Sequence, residues 1–329
     1  FEGVALSDCN DVGVIYDFRM GVNRTHAAAI GPSAGVDWDL QCGTNPEVHS
    51  YNKLQAAIEN GLVSEAVLDS TVRNVLTLKF ANGLFDKRAL IPGDREQIKA
   101  RLASVLDAPA HRALAREAAQ QSIVMLIRRS GASLPWSSRL PKQVALIGPT
   151  ASSQCKCSDA TGSLFGGYTL NPTTKAVTLD QGLQEAGIRT VWAGAITSVG
   201  GRPLPEVGLP DGDVAGIVSV VAAVNDTKNE AVIVVLGDLH GGACGEWGDR
   251  DDLTLQGAQL PLLRAIVEAA DARAASGGQR PSVIVVLVHG RPQTFGPGSD
   301  APGGLLSKID AMFAAWRPVW TCNDRSSSW

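Results

Sequence analysis

The sequence predicts an α/β fold in two parts, on the strength of three observations. In the first ninety residues, two short apolar runs each end in carboxylates and each precede a helical segment. Beyond residue 110, near-continuous runs of Val, Ile and Leu alternate with helical segments, as in a parallel sheet that is covered on both faces. The length of 329 residues also fits about two domains, each with a core of its own.

The first part has the pattern of parallel β/α units, whose functional side chains lie at the carboxyl ends of the strands. An apolar run at residues 3–6 predicts a buried strand that ends at Ser7 and Asp8. A second run, at residues 34–40, also ends in carboxylates. A helix is predicted over residues 64–84, where apolar residues recur every three or four positions. Two such units amount to the last quarter of a (β/α)8 barrel.

The second part begins after a weak signal at residues 86–109, which predicts a linker. A long amphipathic helix is predicted over residues 111–128. Strands are predicted at residues 144–147, 231–236 and 283–288, with weaker ones at 190–193 and 311–315. Helices are predicted between them at residues 179–186, 214–224 and 259–275. This alternation predicts an α/β sandwich with a parallel sheet.

Composition excludes several classes of protein. The net charge of −4 does not provide the basic surface that a general nucleic-acid binder needs. No apolar run reaches the roughly 18 residues of a membrane span, so we expect no membrane-spanning segment. Six cysteines in a chain of this length do not make a disulfide scaffold, and we expect ordinary thiols with or without a single bridge.

Asp8 is the first candidate catalytic residue. It directly follows an apolar strand, and a carboxylate at the carboxyl end of a barrel strand faces the site rather than the packed interior. The alternative is a solvated helix cap, because Asn10 and Asp11 lie nearby and such residues cap helices well.

The second candidate site is the glycine-rich segment at residues 237–250, which follows the strongest strand of the second part. Ligands in open α/β sheets bind outside the carboxyl ends of the strands, where this segment must lie. Glu246, beside Trp247, is its natural acid, and Asp249 and Arg250 are placed to hold the loop by an ion pair. The alternative is a glycine-rich surface turn with exposed charges.

Two further motifs are less informative. Arg291 follows the strand at residues 283–288. It is a candidate for contact with a substrate or with the first domain, and the alternative is that it belongs to an ordinary turn at the end of the strand. The G-x-S-x-G match at residues 31–35 precedes an apolar strand and contains Pro32, which reverses the context of a nucleophile elbow and excludes a serine hydrolase.

Taken together, these segments resemble glycoside hydrolase family 3, the β-glucosidase and β-xylosidase family. The opening segment, which ends in Leu6-Ser7-Asp8, is similar to the family's G-x-x-x-S-D segment with the nucleophilic aspartate. Further matches follow in the family's order at residues 34–40, 63–85, 115–126, 145–149, 246–250 and 290–292. The resemblance runs from Phe1 to about Pro318.

The resemblance implies a (β/α)8 barrel followed by an (α/β)6 sandwich, with the site between them. It places the last two barrel units at residues 1–90, a linker at 91–110, the sandwich at 111–318 and an irregular tail at 319–329. By matching positions, Asp8 would be the nucleophile and Glu246 the general acid/base. The candidate substrate contacts are Trp247, Asp249, Arg250 and Arg291.

The implied reaction is that of a retaining β-glycosidase, which needs two carboxyl groups about 5–5.5 Å apart and no metal or organic cofactor. We expect a β-glucosidase that acts on the non-reducing end of an oligosaccharide or β-glucoside. A β-xylosidase or another exo-glycosidase of the family is the alternative within catalysis. The alternative outside catalysis is an inactive, carbohydrate-binding remnant.

Two departures from the family pattern qualify this expectation. Cys9 stands where the family usually has Trp after the nucleophile, which affects one wall of the sugar pocket. Only seven residues precede Asp8, so we expect an N-terminally truncated fragment of a family member. The resemblance favours an extracytoplasmic location, and the sequence leaves the oligomeric state open.

Overall fold

The computed structural model describes residues 2–42, 49–86, 94–106, 108–129, 134, 136, 139–148, 151, 177–193, 214–237, 252–255 and 259–316. The chain divides into two compact units, Phe1–Leu102 and Ala103–Trp329. In the described part of the chain, no helix is both long enough and apolar enough to cross a membrane.

The first unit combines two short strands with several helices. In chain order these are β1 (Leu6–Cys9), α1 (Asp11–Asp17), α2 (Arg24–Ser33), β2 (Trp38–Leu40), a 3-10 turn (Ser50–Lys53), α3 (Leu54–Glu59), α4 (Glu65–Ala81) and α5 (Arg95–Val105). The strands pair in parallel, with Leu6 opposite Trp38 and Cys9 opposite Leu40. A small core of Ala29, Ala57 and Val63 packs α2 against α3 and the start of α4.

Helix α4 confirms the prediction of a long helix in this region. It begins where Ser64, the N-cap residue, accepts a hydrogen bond from the backbone N–H of Val67. It ends at Ala81, three residues before the predicted end. The stretch that the sequence predicted as a linker contains α5, which crosses the boundary between the units.

Strand β1 corrects the prediction of a buried strand at residues 3–6. The strand runs from Leu6 to Cys9, so Asp8 lies within it rather than after it. Its residues are exposed or half-buried, and Leu6 is 54% exposed. The shift arises because the contacts with β2 continue to the end of this segment, where the N–H of Asn10 donates to the carbonyl of Leu40 at 2.8 Å.

The second unit is an α/β layer structure around a six-stranded sheet. Its elements are α6 (Pro109–Ser122), β3 (Val124–Arg128), β4 (Gln143–Ile147), α7 (Leu179–Glu185), β5 (Arg189–Ala193), α8 (Val214–Asn225), β6 (Ala231–Gly237), α9 (Gln259–Ala275), β7 (Ser282–Val288), a 3-10 turn (Leu305–Lys308) and β8 (Ala311–Trp316). The strand order is β3-β8-β7-β6-β4-β5. All neighbours are parallel except β3 and β8.

Apolar cores lie on both faces of this sheet, as the continuous apolar strands predicted. Alternate residues of β6 belong to opposite cores, with Val232 and Val234 in one and Ile233 and Val235 in the other. Residues of α8 and α9 pack in the first core, and residues of α7 pack against the second. The sheet therefore has helices on both sides.

Strand β3 shows that the helix predicted over residues 111–128 was wrong in its last part. Helix α6 ends at Ser122, and Ile123 has extended backbone angles. Residues Val124–Arg128 pair antiparallel with β8, which makes the sheet mixed rather than purely parallel. The apolar residues at three- and four-residue spacing continue past the end of α6, so only the pairing with β8 reveals a strand.

Candidate active site

Asp8 lies on β1 with an exposed side chain. Its Oδ1 atom accepts a hydrogen bond of 2.6 Å from the backbone N–H of Cys9. The preceding hydroxyl, that of Ser7, accepts from the N–H of Leu40 at 3.0 Å and lies 3.1 Å from a carboxylate oxygen of Asp39. Contacts to β2 and to the next peptide therefore hold the segment that carries this carboxylate.

Two further carboxylates lie close to the start and the middle of β2. Asp37 accepts from the N–H of Ala5 at 2.9 Å and from the side-chain amide of Asn74 at 2.9 Å. Asp39 is 2% exposed, and its Oδ2 atom makes no hydrogen bond within the described residues. Burial, with Asp39 and then Asp37 nearby, raises the pKa of the Tyr51 phenol. Tyr51 therefore stays protonated and donates to the carbonyl of Val36 at 2.5 Å.

A disulfide joins the residue that follows Asp8 to the end of the β2 segment. Cys9 is bonded to Cys42 across a sequence separation of 33 residues. This is compatible with the expectation of thiols with or without one bridge, although the sequence did not identify the pair. The departure from the family pattern at Cys9 is thus part of a covalent link between the two strand segments.

In the second unit, strand β6 ends at Gly237. Gly237 has a φ of 139°, and a Cβ atom there would collide with the carbonyl oxygen of Val288 on β7, so only glycine fits. Gln259, the first residue of α9, accepts from the N–H of Gly237 at 2.8 Å and donates to its carbonyl at 2.9 Å. Gln259 is 1% exposed, so both polar backbone groups of Gly237 are satisfied in a buried setting.

The carboxyl end of β6 also lies at the point where the order of the strands reverses. From β4, the chain adds β5 on one side and then β6 on the other. Ligands of open α/β sheets bind outside the strands at this reversal. Residues 238–250, which contain Glu246, follow β6 directly in the sequence.

Arg291 follows β7, the strand next to β6, and is half-buried. Its carbonyl accepts from Nδ1 of His289 at 2.6 Å. His289 is 6% exposed and stacks on Trp316 with ring centroids 4.9 Å apart. Nε2 makes no hydrogen bond within the described residues. The residues around His289 carry no motif that predicts these contacts, so its stacking on Trp316 follows from the structure alone.

Two of the six predicted site residues lie in the described part of the chain. Asp8 lies in the first unit and Arg291 in the second. The remaining four, Glu246, Trp247, Asp249 and Arg250, lie outside the described residues. In the described ranges, His, Cys, Asp and Glu side chains form no group of three or more that could hold a metal ion.

Comparison with known proteins identifies the family. The family model described as the glycosyl hydrolase family 3 C-terminal domain matches residues 123–319, which is more than half of the chain. The chain belongs to glycosyl hydrolase family 3. This confirms the resemblance that the sequence motifs indicated, and it accords with the mixed α/β sheet of the second unit.

Relatives in the family match beyond the C-terminal domain. A β-xylosidase from Formosa agariphila is 33% identical over 296 residues, which covers 89% of this chain and 36% of the relative. A lysosomal β-glucosidase from Dictyostelium discoideum is 26% identical over 328 residues, covering 97% of this chain and 35% of the relative. The chain spans about a third of the length of the curated relatives it matches.

Solved structures show the same likeness. The crystal structure of β-glucosidase from Listeria innocua in complex with isofagomine superimposes with a TM-score of 0.67 at 25% identity. The match covers 97% of this chain and 37% of that chain. Family 3 membership therefore has support from sequence and from fold.

Proposed function

We propose that this chain carries both catalytic carboxyl groups of a retaining β-glycosidase. Asp8 is the nucleophile and Glu246 is the general acid/base. The observation that carries the proposal is the placement of Asp8, in a chain that belongs to family 3, as an exposed carboxylate on a parallel strand, oriented by the N–H of Cys9.

The reaction proceeds in two steps. The Asp8 carboxylate attacks the anomeric carbon, the glycosidic C–O bond breaks, and the Glu246 carboxyl gives its proton to the departing oxygen. The Glu246 carboxylate then removes a proton from water, which attacks the same carbon and releases Asp8. Both groups return to their starting protonation states, so no cofactor is consumed. Trp247, Asp249, Arg250 and Arg291 are proposed to contact the substrate.

The proposed architecture is the end of a (β/α)8 barrel followed by an (α/β)6 sandwich. Residues 1–90 are assigned to the barrel, 91–110 to a linker, 111–318 to the sandwich and 319–329 to an irregular tail. The parallel pairing of β1 with β2 and the intervening helices support the first assignment. The helix-covered sheet of the second unit supports the sandwich.

The proposed substrate is a terminal, non-reducing β-D-glucosyl residue. The Listeria innocua and Dictyostelium discoideum proteins are named β-glucosidases, which supports this choice. A β-D-xyloside is the second candidate, because the Formosa agariphila relative and several from Arabidopsis thaliana are named β-xylosidases. Turnover of aryl β-D-glucosides and aryl β-D-xylosides by the same preparation distinguishes the two sugars.

The catalytic proposal is tested by hydrolysis of an aryl β-D-glucoside and an aryl β-D-xyloside by the chain and its carboxylate variants. Asp8→Asn should lower kcat/KM by about 10³-fold or more, because no covalent intermediate forms. Glu246→Ala should lose turnover of substrates with poor leaving groups but still react with a 2,4-dinitrophenyl glycoside, whose leaving group needs no proton. Added azide should then restore turnover in Glu246→Ala and give the β-glycosyl azide.

Two controls separate chemistry from stability. Asp11→Asn, in the first turn of α1, and Glu268→Gln, on the exposed side of α9, remove acids outside the proposed machinery and should leave turnover unchanged. Turnover that survives Asp8→Asn would refute the assignment of the nucleophile. An inert chain that still binds cellobiose would replace the catalytic proposal with a non-catalytic carbohydrate-binding role.

A further inference from the structure

The backbone that follows Asp8 is fixed to the backbone that follows β2. Cys9 is joined to Cys42 by the disulfide. The side-chain amide of Asn10 accepts from the N–H of Cys42 and donates to its carbonyl, both at 3.2 Å. The N–H of Asn10 donates to the carbonyl of Leu40 at 2.8 Å. Cys9, Asn10 and Cys42 are named here the β1–β2 clamp.

A single peptide group, that between Asp8 and Cys9, connects the clamp to the Asp8 carboxylate. The N–H that binds Oδ1 of Asp8 belongs to Cys9, whose side chain forms the disulfide. Any movement of the Cys9 backbone therefore moves the donor that orients the carboxylate. Asn10 itself lies in the left-handed region, with a φ of 60°, and the chain enters α1 at the next residue, Asp11.

Apolar packing restrains β1 only weakly. β1 residues are exposed or half-buried, and its register with β2 is irregular between Leu6 and Cys9. The buried apolar residues in the described part of the first unit lie on or beside the helices rather than on β1; they are Val12, Ala27, Ala28, Ala29, Ala57 and Val63. The position of Asp8 depends on the clamp and on the polar contacts of Ser7 more than on an apolar core.

We propose that the β1–β2 clamp positions Asp8, and that the redox state of Cys9 and Cys42 sets the reactivity of this carboxylate. The inference rests on the proposed nucleophilic role of Asp8. Cys9 is exposed and Cys42 half-buried, so a small dithiol can reach the bond. One thiolate of the dithiol attacks a sulfur of the disulfide and releases the other cysteine as a thiolate. The second thiolate of the dithiol then attacks the dithiol sulfur of the mixed disulfide and releases the remaining cysteine. The dithiol is oxidised to a cyclic disulfide, and the protein gains two thiols.

The test compares the oxidised chain, the dithiol-treated chain, and a Cys9→Ser/Cys42→Ser variant with and without dithiol. The first readout is labelling of Asp8 by 2-deoxy-2-fluoro-β-D-glucosyl fluoride, or by the xylosyl analogue if the chain prefers xylosides, followed by mass spectrometry. Reduction should lower the maximal labelling rate roughly tenfold or more, because a small misplacement of a reacting group is costly. The concentration for half-maximal labelling should change little. Reoxidation should restore the rate in the unsubstituted chain only.

The second readout is hydrogen exchange at the amides of Asn10 and Cys42, which donate to Leu40 and to Asn10 respectively. Reduction should accelerate exchange at both, while the amides of α4 keep their protection and show that the unit remains folded. If α4 also loses protection, Asn10→Gly replaces reduction as the test. It keeps the disulfide, removes the amide pair and should lower the labelling rate by a smaller factor.

The possible results separate the two proposals. Equal labelling of the oxidised and reduced chains would overturn the positioning role, and so would a dithiol effect of the same size in the Cys9→Ser/Cys42→Ser variant. If the oxidised chain is not labelled at all, the nucleophilic role of Asp8 fails. The hydrogen-exchange data then test only whether the disulfide holds the backbone of the β1–β2 clamp. Faster exchange at Asn10 and Cys42 on reduction supports this, and unchanged exchange overturns it.

Discussion

In the second unit β6 is buried along its whole length, whereas in the first unit β1 has no fully buried residue. The same contrast holds for their neighbours: β4 is entirely buried, while β2 buries only Asp39. Apolar contacts on two faces therefore hold β4 and β6, two strands of the second unit. A disulfide and side-chain hydrogen bonds hold those of the first, and this is the unit that carries Asp8.

The difference bears on the proposed catalytic role because Asp8 lies on β1, whereas the sequence segment that contains Glu246 follows the buried strand β6. The segment that bears Glu246 leaves β6 at Gly237, whose backbone is bound by the buried Gln259. Asp8 is oriented by a peptide within the β1–β2 clamp. We therefore expect reductants to act on the first unit, while substitutions that leave a cavity act most strongly on the second.

The largest expected effect is that of Leu263→Ala. Leu263, on α9, is fully buried in the core on one face of the sheet, so its truncation leaves a cavity and should lower the free energy of unfolding by about 2–5 kcal/mol. Leu126→Ala, on β3, is the control: Leu126 is 53% exposed and should cost less than about 0.5 kcal/mol. Denaturant unfolding measures both, and similar losses would contradict the contrast in burial.

An intermediate effect is expected at Asn10 in the first unit. Asn10→Gly and Asn10→Ala both remove the amide pair with Cys42, but alanine also has to adopt a φ of 60°. The alanine variant should therefore be less stable than the glycine variant by about 1 kcal/mol, because a Cβ atom disfavours the left-handed region. The free energy of opening from hydrogen exchange at α2 amides measures the difference. Equal values would mean that the backbone relaxes at this position.

The contrast between strands buried on both faces and strands held by polar contacts also explains which parts of the fold the sequence could predict. The strands β4, β6 and β7 were predicted within one residue of their ends, because continuous apolar runs specify strands buried on both faces. β3 was missed, since its pairing with β8 leaves no local signal. β1 was predicted three residues too early, because its position follows from the contacts of Ser7 and Asn10 with Leu40, which lies thirty or more residues further along the chain.

The candidate site divides in the same way. Asp8 was predicted from its place beside an apolar run and from the family motif, both of which are local. The disulfide partner of Cys9 was not, because six cysteines allow many pairings and only the fold brings Cys42 near. The role of Gln259 also had no sequence signal, since its amide binds a residue 22 positions away. Contacts of this kind are properties of the tertiary structure.

The smallest expected effect on stability concerns the ion pairs at the end of α9. They lie in the second unit, but they are polar side-chain contacts like those that hold β1 and β2 in the first. Arg280 binds Asp271 at 2.9 Å and Asp310 at 2.8 Å, and Lys308 binds Asp271 at 3.1 Å. Burial raises the pKa of Asp271, but the hydrogen bonds and charges of Arg280 and Lys308 outweigh it and lower that pKa below the model-peptide value.

A lowered pKa in the folded state stabilises the protein above the unfolded-state pKa of about 4, and this contribution is lost as the pH falls through the folded-state pKa. Asp271→Asn should therefore cost about 0.5 kcal/mol or less at pH 7, since Asp271 is 39% exposed and solvent screens the pair. The difference from the unsubstituted chain should shrink as the pH falls below about 4 and as salt is added. Urea unfolding of the chain, Asp271→Asn and the control Glu268→Gln across this range measures it. If the difference in free energy of unfolding persists unchanged in acid and in high salt, Asp271 stabilises the protein through packing rather than charge. The end of α9 would then be held in the same way as the buried strands of the sheet, and not by ion pairs.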